Sequence, residues 1–529
     1  MAASGRANRP VAVCLDAGTT VIKAVVFDED GRELLVVNRG TTVSHPSPER
    51  AEQDMDAVWE AATSAVREAT RRVDRPVEFL ALTAQGDGAW LVDRHHRPLR
   101  PAVLWNDGRA AGIVEDWRAR AVLDEAFRIN ASLTNAGLPN AILRALIVEE
   151  PDTTSRAASV LTCGSWLFLR LTGVLGMDTS DASAPWLDLR RTQPSDALLE
   201  LYGLTAQRHL VPPVLGAADR VQKLSAEAST QLELPAGLPI VLAPYDIAST
   251  AIGVGATEPG QAACVLGTTL CTEVMIDNAD TTGEPAGLTL VLDSPDSPDS
   301  PDSPDVLLRA FPTLAGCGVI DWLADLLGLP DPAAVTARAA QARPGADGLR
   351  ILPYLSPAGE RAPFLDFTAS GLITGMRFGH RAEHFARAVL EGLAHVIRDC
   401  LDAGPTRPTR LRLCGGGAAS SLWCQVIADI TGIPTIVTTD SQVGAKGAYV
   451  HASTLLGRYQ DLTAAAAALV RTRQQFDPEP ELATFHDSEH AEFLHTRELV
   501  ATRWPRWHPS ANRALPPNPA PTEEAGLRA

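Results

Sequence analysis

Residues 15–28 read LDAGTTVIKAVVFD and residues 264–277 read CVLGTTLCTEVMID, so the chain carries one pattern twice. Each copy has an apolar strand, a Gly-Thr-Thr turn and a second apolar strand that ends in Asp. The turn glycines, Gly18 and Gly267, are 249 positions apart (267 − 18). This spacing indicates a chain of two halves, each of which begins with the same hairpin.

The Gly-Thr-Thr turns have the composition of an anion-binding site. Such a turn exposes backbone N–H groups and two hydroxyls, so two turns that face each other would clamp a polyphosphate. Only the first copy has a charged residue at both of two flanking positions, with Asp16 two residues before its glycine and Lys23 five residues after it. Val265 and Thr272 hold those places in the second copy. A carboxylate that can hold Mg²⁺ and a lysine that can neutralise phosphate favour phosphate binding over two ordinary hairpins.

The composition is that of a large globular protein. At 529 residues the chain exceeds a single hydrophobic core and suits two large domains. No apolar run approaches the ~20 residues that span a membrane, and the start lacks the apolar region of a signal peptide. The net charge of −18 disfavours a nucleic-acid partner. Eight cysteines without a C-x-x-C pair suggest reduced thiols and a cytoplasmic location.

Hydrophobic periodicity divides the chain into alternating helices and strands. We predict helices at 54–73, 319–327, 380–401 and 444–456, and strands at 79–84, 239–243, 411–414 and 436–438. Polar residues follow several strands: Gln85 and Asp87 follow the strand at 79–84, and Asp246 follows the strand at 239–243. Open α/β sheets place their ligands at such strand ends, so these side chains are candidates for substrate binding.

The predicted domains are residues 10–257 and 258–500. Within the second, residues 294–305 repeat Ser-Pro-Asp four times. Proline at every third position blocks helix formation, so we interpret this segment as a low-complexity surface loop between two strands rather than a docking tag. Residues 505–529 are rich in Pro and Ala, with few apolar runs, and we interpret them as a disordered tail.

Three motifs occur in a fixed order along the chain. They are the Asp-x-Gly-Thr-Thr start at Asp16, the run PYLSPAGERAP at 353–363, and Gly-Gly-Gly at 415–417 followed by Trp423 and Gln425. Over residues 11–458 the chain therefore resembles the FGGY carbohydrate kinases. The resemblance implies an α/β fold of two actin-like (ribonuclease-H-like) ATPase domains with a cleft between them. It also implies ATP-dependent phosphorylation of a hydroxyl of a small sugar or polyol, with ATP and Mg²⁺ as cofactors.

The resemblance further implies a role for each residue that matches a family motif. Asp246 is expected to be the catalytic base, and Asp16 and Asp246 are expected to hold the metal. The residues expected to bind the nucleotide are Thr19, Thr20, Lys23, Gly267, Thr268, Thr269, Gly415, Gly416 and Gly417. The residues expected to bind the acceptor are Gln85, Asp87, Trp105, Asp107 and Asp246. Without the resemblance, Asp246 is interpreted as a helix cap. Trp105 is either core or a wall of the pocket, and Asp107 is either a structural partner of Arg109 or a substrate ligand.

Several alternatives stay open. The segment QGDGAW at 85–90 resembles the erythritol and L-xylulose kinases of the family, so the acceptor is either an erythritol-like tetritol or a ketopentose such as xylulose. A catalytically inactive sensor of sugar and nucleotide, or an actin- or chaperone-like ATPase, would share the fold. Glu360 and Arg361 are expected to form an internal ion pair. Lys446 either reaches nucleotide phosphate or is exposed, and a homodimer is left open.

Overall fold

The computed structural model of the chain describes residues 9–292 and 306–507. The first half contains β1 (Val11–Ala17), β2 (Val21–Phe27), β3 (Glu33–Gly40), β4 (Glu52–Gln53), α1 (Met55–Val73), β5 (Val77–Ala84), β6 (Trp90–Val92), β7 (Ala102–Val103), α2 (Ala111–Ala119), α3 (Val122–Asn130), α4 (Pro139–Glu149), α5 (Pro151–Arg156), β8 (Ser159–Leu161), α6 (Cys163–Thr172), α7 (Thr179–Trp186), β9 (Leu187–Asp188), β10 (Gln193–Pro194), α8 (Asp196–Leu201), β11 (Val221–Lys223), α9 (Ala226–Leu232), β12 (Pro239–Leu242) and α10 (Asp246–Gly253).

The second half contains β13 (Gln261–Leu266), β14 (Leu270–Ile276), β15 (Leu288–Leu292), β16 (Val306–Pro312), α11 (Gly318–Leu327), α12 (Pro332–Ala339), β17 (Arg350–Leu352), β18 (Leu372–Thr374), α13 (Ala382–Asp402), β19 (Arg410–Cys414), α14 (Ser421–Thr431), β20 (Thr435–Thr438), α15 (Val443–Leu455), α16 (Leu462–Leu469), β21 (Thr472–Phe476), α17 (Ala483–Ala501) and α18 (Trp504–Trp507).

The two large sheets have the same topology. Their strand orders are β3-β2-β1-β5-β12-β11 and β16-β14-β13-β19-β20-β21, and β15 adds an edge strand to the second sheet. In each sheet, taken in the order given, the five pairs of neighbouring strands are antiparallel, antiparallel, parallel, parallel and antiparallel. The repeated topology confirms the predicted two-unit α/β fold, and the duplicated hairpins are β1–β2 and β13–β14.

A buried apolar layer lies between the two sheets. Strand residues from both sheets contribute to it, together with α10 and α15. Phe27 and Phe79 stack on Tyr449 with ring centroids 5.1 and 5.9 Å apart, which joins the first sheet to α15 of the second half. The two helices approach so closely that a Cβ on Gly447 would lie 1.7 Å from the backbone oxygen of Ser249. Glycine at this crossing therefore lets a helix from each half pack in the central layer.

The predicted helices and strands are present, and each end lies within two residues of its predicted position. Helix α1 runs Met55–Val73 with the Asp54 side chain as its N-cap, and α13 runs Ala382–Asp402. The chain is helical through Trp507, three residues into the predicted tail, whereas residues 508–529 lie outside the described residues. The Ser-Pro-Asp repeat at 294–305 also lies outside them.

Neither expectation for Lys446 is correct. Its side chain is buried, and Nζ donates hydrogen bonds to the backbone oxygen of Gly31 and to Asp440 Oδ1. An ammonium group buried on α15 has to be paired, and these partners satisfy it. Lys446 therefore ties α15 to the turn that follows β2.

Two expectations about cellular context can be compared with the structure. In residues 9–292 and 306–507 no helix combines the length and the hydrophobicity that are needed to cross a membrane. All eight cysteines are free thiols.

Candidate active site

Asp16 lies at the end of β1, directly across the hairpin from Lys23. Lys23 Nζ is 3.8 Å from Asp16 Oδ2. Burial raises the pKa of Asp16, and the charge of Lys23 opposes that shift. The first turn of α15 covers the carboxylate, because a Cβ on Gly444 would lie 3.2 Å from Asp16 Oδ2. The first hairpin therefore presents one carboxylate and one ammonium beside its turn.

The Gly-Thr-Thr turn of this hairpin is held by side chains from later strands. Thr19 Oγ1 donates to Gln85 Oε1 (2.6 Å) and accepts from Trp105 Nε1 (3.0 Å). Gln53 Nε2 donates to the backbone oxygen of Thr19 (2.9 Å), and Gln85 Nε2 donates to Gln53 Oε1 (3.0 Å). Thr20 is exposed. The turn is thus fixed in place while one threonine stays accessible.

A cavity of about 210 Å³ lies between the two halves of the chain. Its polar lining includes Asp87, Trp105, Asn135 and Asp246 from the first half, and Thr269 and Arg361 from the second half. Because both halves supply walls, the cavity exists only when the two sheets are packed as in this structure. Its size and its hydroxyl, amide and charged groups suit a small, highly oxygenated molecule.

Two carboxylates share this cavity. Asp246 is the first residue of α10, and its Oδ1 accepts from the N–H of Ile247 (2.8 Å). Burial, assisted by the nearby Asp16 carboxylate, raises the pKa of Asp246 to about 7. Burial also raises the pKa of Asp87 to about 7, although the charge of Arg361 opposes this shift. Carboxylates that titrate near neutrality can exchange protons with a bound hydroxyl.

The structure places two predicted acceptor ligands, Gln85 and Asp107, outside the lining of the cavity. The side-chain amide of Gln85 is hydrogen-bonded to Thr19 and Gln53, as described above, so it supports the first Gly-Thr-Thr turn. Asp107 is buried and accepts from Arg109 Nε (2.8 Å) and from the N–H of Ala51 (2.8 Å). In this structure both side chains hold loops in position, with Asp107 as the partner of Arg109, and their contact with an acceptor stays a prediction.

The side chains of Glu360 and Arg361 do not form the expected ion pair, although the Glu360 carboxylate accepts a hydrogen bond from the backbone N–H of Arg361 (2.9 Å). The Glu360 carboxylate accepts from the backbone N–H groups of Leu314 (2.6 Å) and Ala315 (3.1 Å), so it anchors the chain that follows β16. Arg361 Nε donates to the backbone oxygen of Pro312 (2.9 Å), and its guanidinium lines the cavity. The motif thus has one structural residue and one residue that faces the cavity.

Sequence reasoning missed other residues of the cavity. Tyr245 precedes Asp246, and Cys271 belongs to the second copy of the duplicated motif, so both carried a positional signal. Asn135 lies in a loop between α3 and α4 that has no recognisable pattern. Its place in the site depends on tertiary packing that no local pattern reveals.

A second cavity, of about 620 Å³, lies on the other side of the β13–β14 turn. Gly267 and Thr268 line this cavity, whereas the next residue, Thr269, lines the first one. Its other walls include Gly416 and Gly417, Trp423 and residues of α11 and α12. The second Gly-Thr-Thr turn therefore separates a large cavity from the small one that contains Asp246.

The three consecutive glycines make this arrangement possible. Gly415 has a φ of +84°, and a Cβ there would lie 2.7 Å from the backbone oxygen of Leu266. A Cβ on Gly417 would lie 2.3 Å from the Trp423 ring, whereas a Cβ on Gly416 would meet nothing within 4 Å. Glycine is thus required for the backbone path at Gly415 and Gly417, and the loop leaves its backbone open to a ligand.

The side chains of the described residues limit how the site could hold a divalent cation. Within them, no cluster of three or more His, Cys, Asp or Glu side chains could hold a metal by itself. The available donors are the carboxylates of Asp16 and Asp246, which are close enough for one to shift the pKa of the other. One or two carboxylates together with substrate phosphates are the usual donor set for Mg²⁺, so these residues fit a cation that arrives with a nucleotide.

Comparison with known proteins assigns the chain to a family. Residues 11–253 match the N-terminal domain of the FGGY family of carbohydrate kinases, and residues 262–456 match its C-terminal domain. The chain belongs to the FGGY family of carbohydrate kinases. It is therefore a carbohydrate kinase, with ATP as the phosphoryl donor of this family, which confirms the resemblance seen in the sequence motifs.

Individual relatives cover most of the chain. The erythritol kinase of Brucella abortus (strain 2308) is 29% identical over 525 residues, which is 95% of this chain and 98% of that protein. The xylulose kinase of Escherichia coli (strain K12) is 32% identical over 435 residues, covering 81% and 87%. The crystal structure of a xylulose kinase from Rhodospirillum rubrum has a TM-score of 0.83 at 27% identity and covers 93% of this chain and 99% of that one.

Proposed function

We propose that this protein transfers the γ-phosphoryl group of ATP to a hydroxyl of a small neutral polyol or ketose, such as a tetritol or a ketopentose. The observation that carries the proposal is the pair of half-buried carboxylates, Asp87 and Asp246, that line one small cavity beside the second Gly-Thr-Thr turn. Carboxylates accept hydrogen bonds from hydroxyls and repel anions. The names of the erythritol and xylulose kinases that the chain is similar to support the same class of acceptor.

Asp246 is the proposed catalytic base. Its carboxylate takes the proton of the acceptor hydroxyl while that oxygen bonds to the γ-phosphorus and the bond from phosphorus to the β–γ bridging oxygen breaks, which releases ADP. A base is most effective when its pKa lies near the working pH, and burial brings Asp246 to that range. Asp87 orients the acceptor by accepting hydrogen bonds from its other hydroxyls.

The nucleotide occupies the larger cavity in this proposal. The backbone at Gly416 and Gly417 accommodates the adenosine and α-phosphate, and the Gly-Thr-Thr turns at Thr19–Thr20 and Thr268–Thr269 hold the terminal phosphates. Lys23 neutralises part of the phosphate charge, and Asp16, together with Asp246, would hold Mg²⁺. When bound, the ion would neutralise charge on the transferring phosphoryl group.

An ADP-release assay over a panel of acceptors tests the proposal. With saturating MgATP, we expect the highest kcat/KM among erythritol, L-xylulose and D-xylulose, and lower values for glycerol and gluconate. Turnover that depends on acceptor would also exclude an inactive sensor. ADP release that does not respond to any neutral polyol or ketose, in protein shown to be folded by its melting transition, would contradict the proposal.

A further inference from the structure

The peptide bond between Pro244 and Tyr245 directly precedes the proposed base and is held at both of its ends. Its carbonyl, the oxygen of Pro244, accepts from Thr83 Oγ1 (2.7 Å) and from Ser249 Oγ (2.6 Å). Its N–H, on Tyr245, donates to Ser180 Oγ (3.1 Å). Among the described residues the carbonyl thus has two hydroxyl partners, whereas the N–H depends on Ser180 alone.

Asp178 fixes the orientation of the Ser180 hydroxyl. Ser180 lies in the first turn of α7, and its Oγ donates to Asp178 Oδ1. The same carboxylate oxygen accepts from the backbone N–H groups of Ser180 (2.8 Å) and Asp181 (3.3 Å), so it is an acceptor and the hydroxyl hydrogen has to point to it. The lone pairs of Ser180 Oγ are therefore left for the N–H of Tyr245. All three side chains are buried, so bulk water does not compete for this bond.

The direction of the Asp246 side chain depends on this peptide. Asp246 is the first residue of α10, and Tyr245 before it gives the helix no side-chain cap. The Asp246 carboxylate accepts from the N–H of Ile247 (2.8 Å), which belongs to the same helical turn and therefore moves with it. The ring of Tyr245 packs on backbone, because a Cβ on Gly86 would lie 2.3 Å from its Cδ2. A tilt of the peptide before Tyr245 would therefore move the ring and the carboxylate together.

Resting on the proposed function, we propose that Ser180 is a positioning residue that aims Asp246 at the acceptor hydroxyl by holding the Pro244–Tyr245 peptide. Ser180 lines neither cavity, so it acts through the backbone. A general base works only within hydrogen-bond reach of the proton that it takes, and a misplacement of about 1 Å can cost about 10²-fold in rate. Loss of the Ser180 hydroxyl should therefore lower kcat while the walls of both cavities stay in place.

Ser180→Ala tests this role, Ser180→Thr keeps a hydroxyl at the same place, and Ser183→Ala is the matched control. Ser183 is also buried in α7. Its Oγ donates to the backbone oxygen of Thr179 (2.6 Å) and accepts from the N–H of Val291 (2.8 Å). Each alanine variant therefore loses one bond that a hydroxyl donates and one that it accepts from a backbone N–H. Only Ser180→Ala loses them beside the proposed base.

The measurements are a melting curve for each variant, and kcat and KM per folded molecule with the acceptor that gives the wild type its highest kcat/KM. We expect Ser180→Ala to lower kcat by about tenfold or more and to change the KM for acceptor and ATP by about twofold or less. Ser180→Thr should recover most of the loss, and Ser183→Ala should keep kcat within about twofold of wild type. Should Ser180→Ala fail to fold, the kcat of Ser180→Cys decides the question, because a thiol is only a weak acceptor.

Three results would overturn the inference while leaving the proposed function intact. They are a kcat for Ser180→Ala close to that of the wild type, an equal loss of kcat in Ser183→Ala, and a rise in KM in place of a fall in kcat. The last two would indicate a general structural role for the hydroxyls of α7. Failure of the wild type to phosphorylate any neutral acceptor would instead overturn the proposed function and this inference with it.

Discussion

The two Gly-Thr-Thr hairpins occupy the same place in sheets of the same topology, yet their turns differ in length. The first turn encloses residues 18–21 between the paired residues Ala17 and Ile22. The second encloses only residues 267–269, between Leu266 and Leu270. One residue fewer in a turn changes which side chains lie opposite each other. A motif that repeats in sequence therefore does not repeat residue by residue in space.

The shorter turn changes the counterpart of Lys23. Counting from each glycine pairs Lys23 with Thr272, which was the expectation from spacing. In the sheets, Lys23 lies opposite Asp16, and Cys271 lies opposite Val265, so Cys271 is the structural counterpart of Lys23. The first hairpin therefore carries two opposite charges beside its turn, whereas at the matching position the second has a thiol that lines the smaller cavity.

The same contrast appears after the last parallel strand of each sheet. Asp246 follows β12 and starts α10 with no cation bound to its carboxylate among the described residues. Asp440 follows β20 and precedes α15, but Lys446 Nζ lies 3.0 Å from its Oδ1. One half therefore keeps a carboxylate free for chemistry, and the other uses the equivalent carboxylate to hold a helix.

Asp246→Asn, which removes the carboxylate that the first half keeps free, is expected to have the largest effect on turnover. The amide keeps the size of the side chain and its bond to Ile247 but cannot accept a proton at neutral pH. We expect kcat to fall by about 10²–10⁴-fold, the usual range for loss of a general base. ATP affinity, measured by fluorescence titration with a nucleotide analogue, should be retained. Turnover close to wild type would remove Asp246 from the mechanism.

Asp440→Asn is the matched substitution in the second half. It leaves the buried Lys446 ammonium without its counter-charge, which should lower the free energy of unfolding by about 1.5–3 kcal/mol. Turnover per folded molecule should be preserved, because neither cavity includes Asp440 among its lining residues. Urea unfolding and kcat measured on the same preparation separate the two effects. A fall in kcat without a fall in stability would contradict the structural role.

The pH dependence of turnover extends the test to the wild-type protein. Asp246 acts as a base only when ionised, and its raised pKa of about 7 means that the ionised form is lost as the pH falls through neutrality. At low concentrations of acceptor and MgATP, kcat/KM, which reports the groups of the free protein, should fall about tenfold per pH unit below that pKa. A profile that is flat down to pH 5 would show that proton transfer to Asp246 does not limit turnover.

Asp87→Ala tests the other carboxylate of the cavity. Hydroxyls left without a partner in a buried site cost about 1–3 kcal/mol, or roughly 5- to 150-fold in the acceptor KM. The KM for ATP should change much less, because the larger cavity does not include Asp87. Initial rates at varied acceptor and fixed ATP, and the reverse, give both values. An unchanged acceptor KM would place the acceptor elsewhere.

Sequence patterns predicted the fold better than the site. Hydrophobic periodicity and turn residues are local features of a sequence. The predicted ends of helices such as α1 and α13 therefore lie within two residues of the observed ones. The acceptor cavity depends on contacts between the halves, and so Asn135 gave no signal. Gln85 and Asp107 are expected to bind the acceptor because they follow strands, but Gln85 is hydrogen-bonded to Gln53, and Asp107 to Arg109 and Ala51. Strand ends identify the right region and not the orientation of each side chain.

Lys23→Met and Cys271→Ala sharpen the comparison of the two hairpins. A lysine that donates to phosphate makes a charge-assisted bond, and its loss should lower kcat/KM for ATP by about tenfold. Cys271 faces the other cavity, and burial raises the pKa of its thiol, so it carries no charge. Cys271→Ala should leave the ATP parameters unchanged. Equal effects of both substitutions on ATP would mean that the hairpins act alike.

Shortening the segment at the edge of the second sheet is expected to have the smallest effect on stability and turnover. Leu292 of β15 pairs directly with Val306 of β16, so the segment that carries the Ser-Pro-Asp repeat connects two strands that are already in register. Residues 293–305 can therefore be replaced by a short Asn-Gly hairpin turn. Loop-closure entropy varies slowly with length, which predicts a stability change of about 1 kcal/mol or less.

A melting curve and the kinetic parameters for ATP and acceptor, compared between the wild type and this shortened chain, provide the measurement. Among the described residues the first sheet has no counterpart of β15, so the shortened chain also tests whether this edge strand needs the repeat. A large fall in melting temperature, or lost turnover with both substrates saturating, would show that the repeat contributes to the second half beyond joining two strands. Unchanged values would show that the edge strand β15 is held by its pairing with β16 and does not need the repeat.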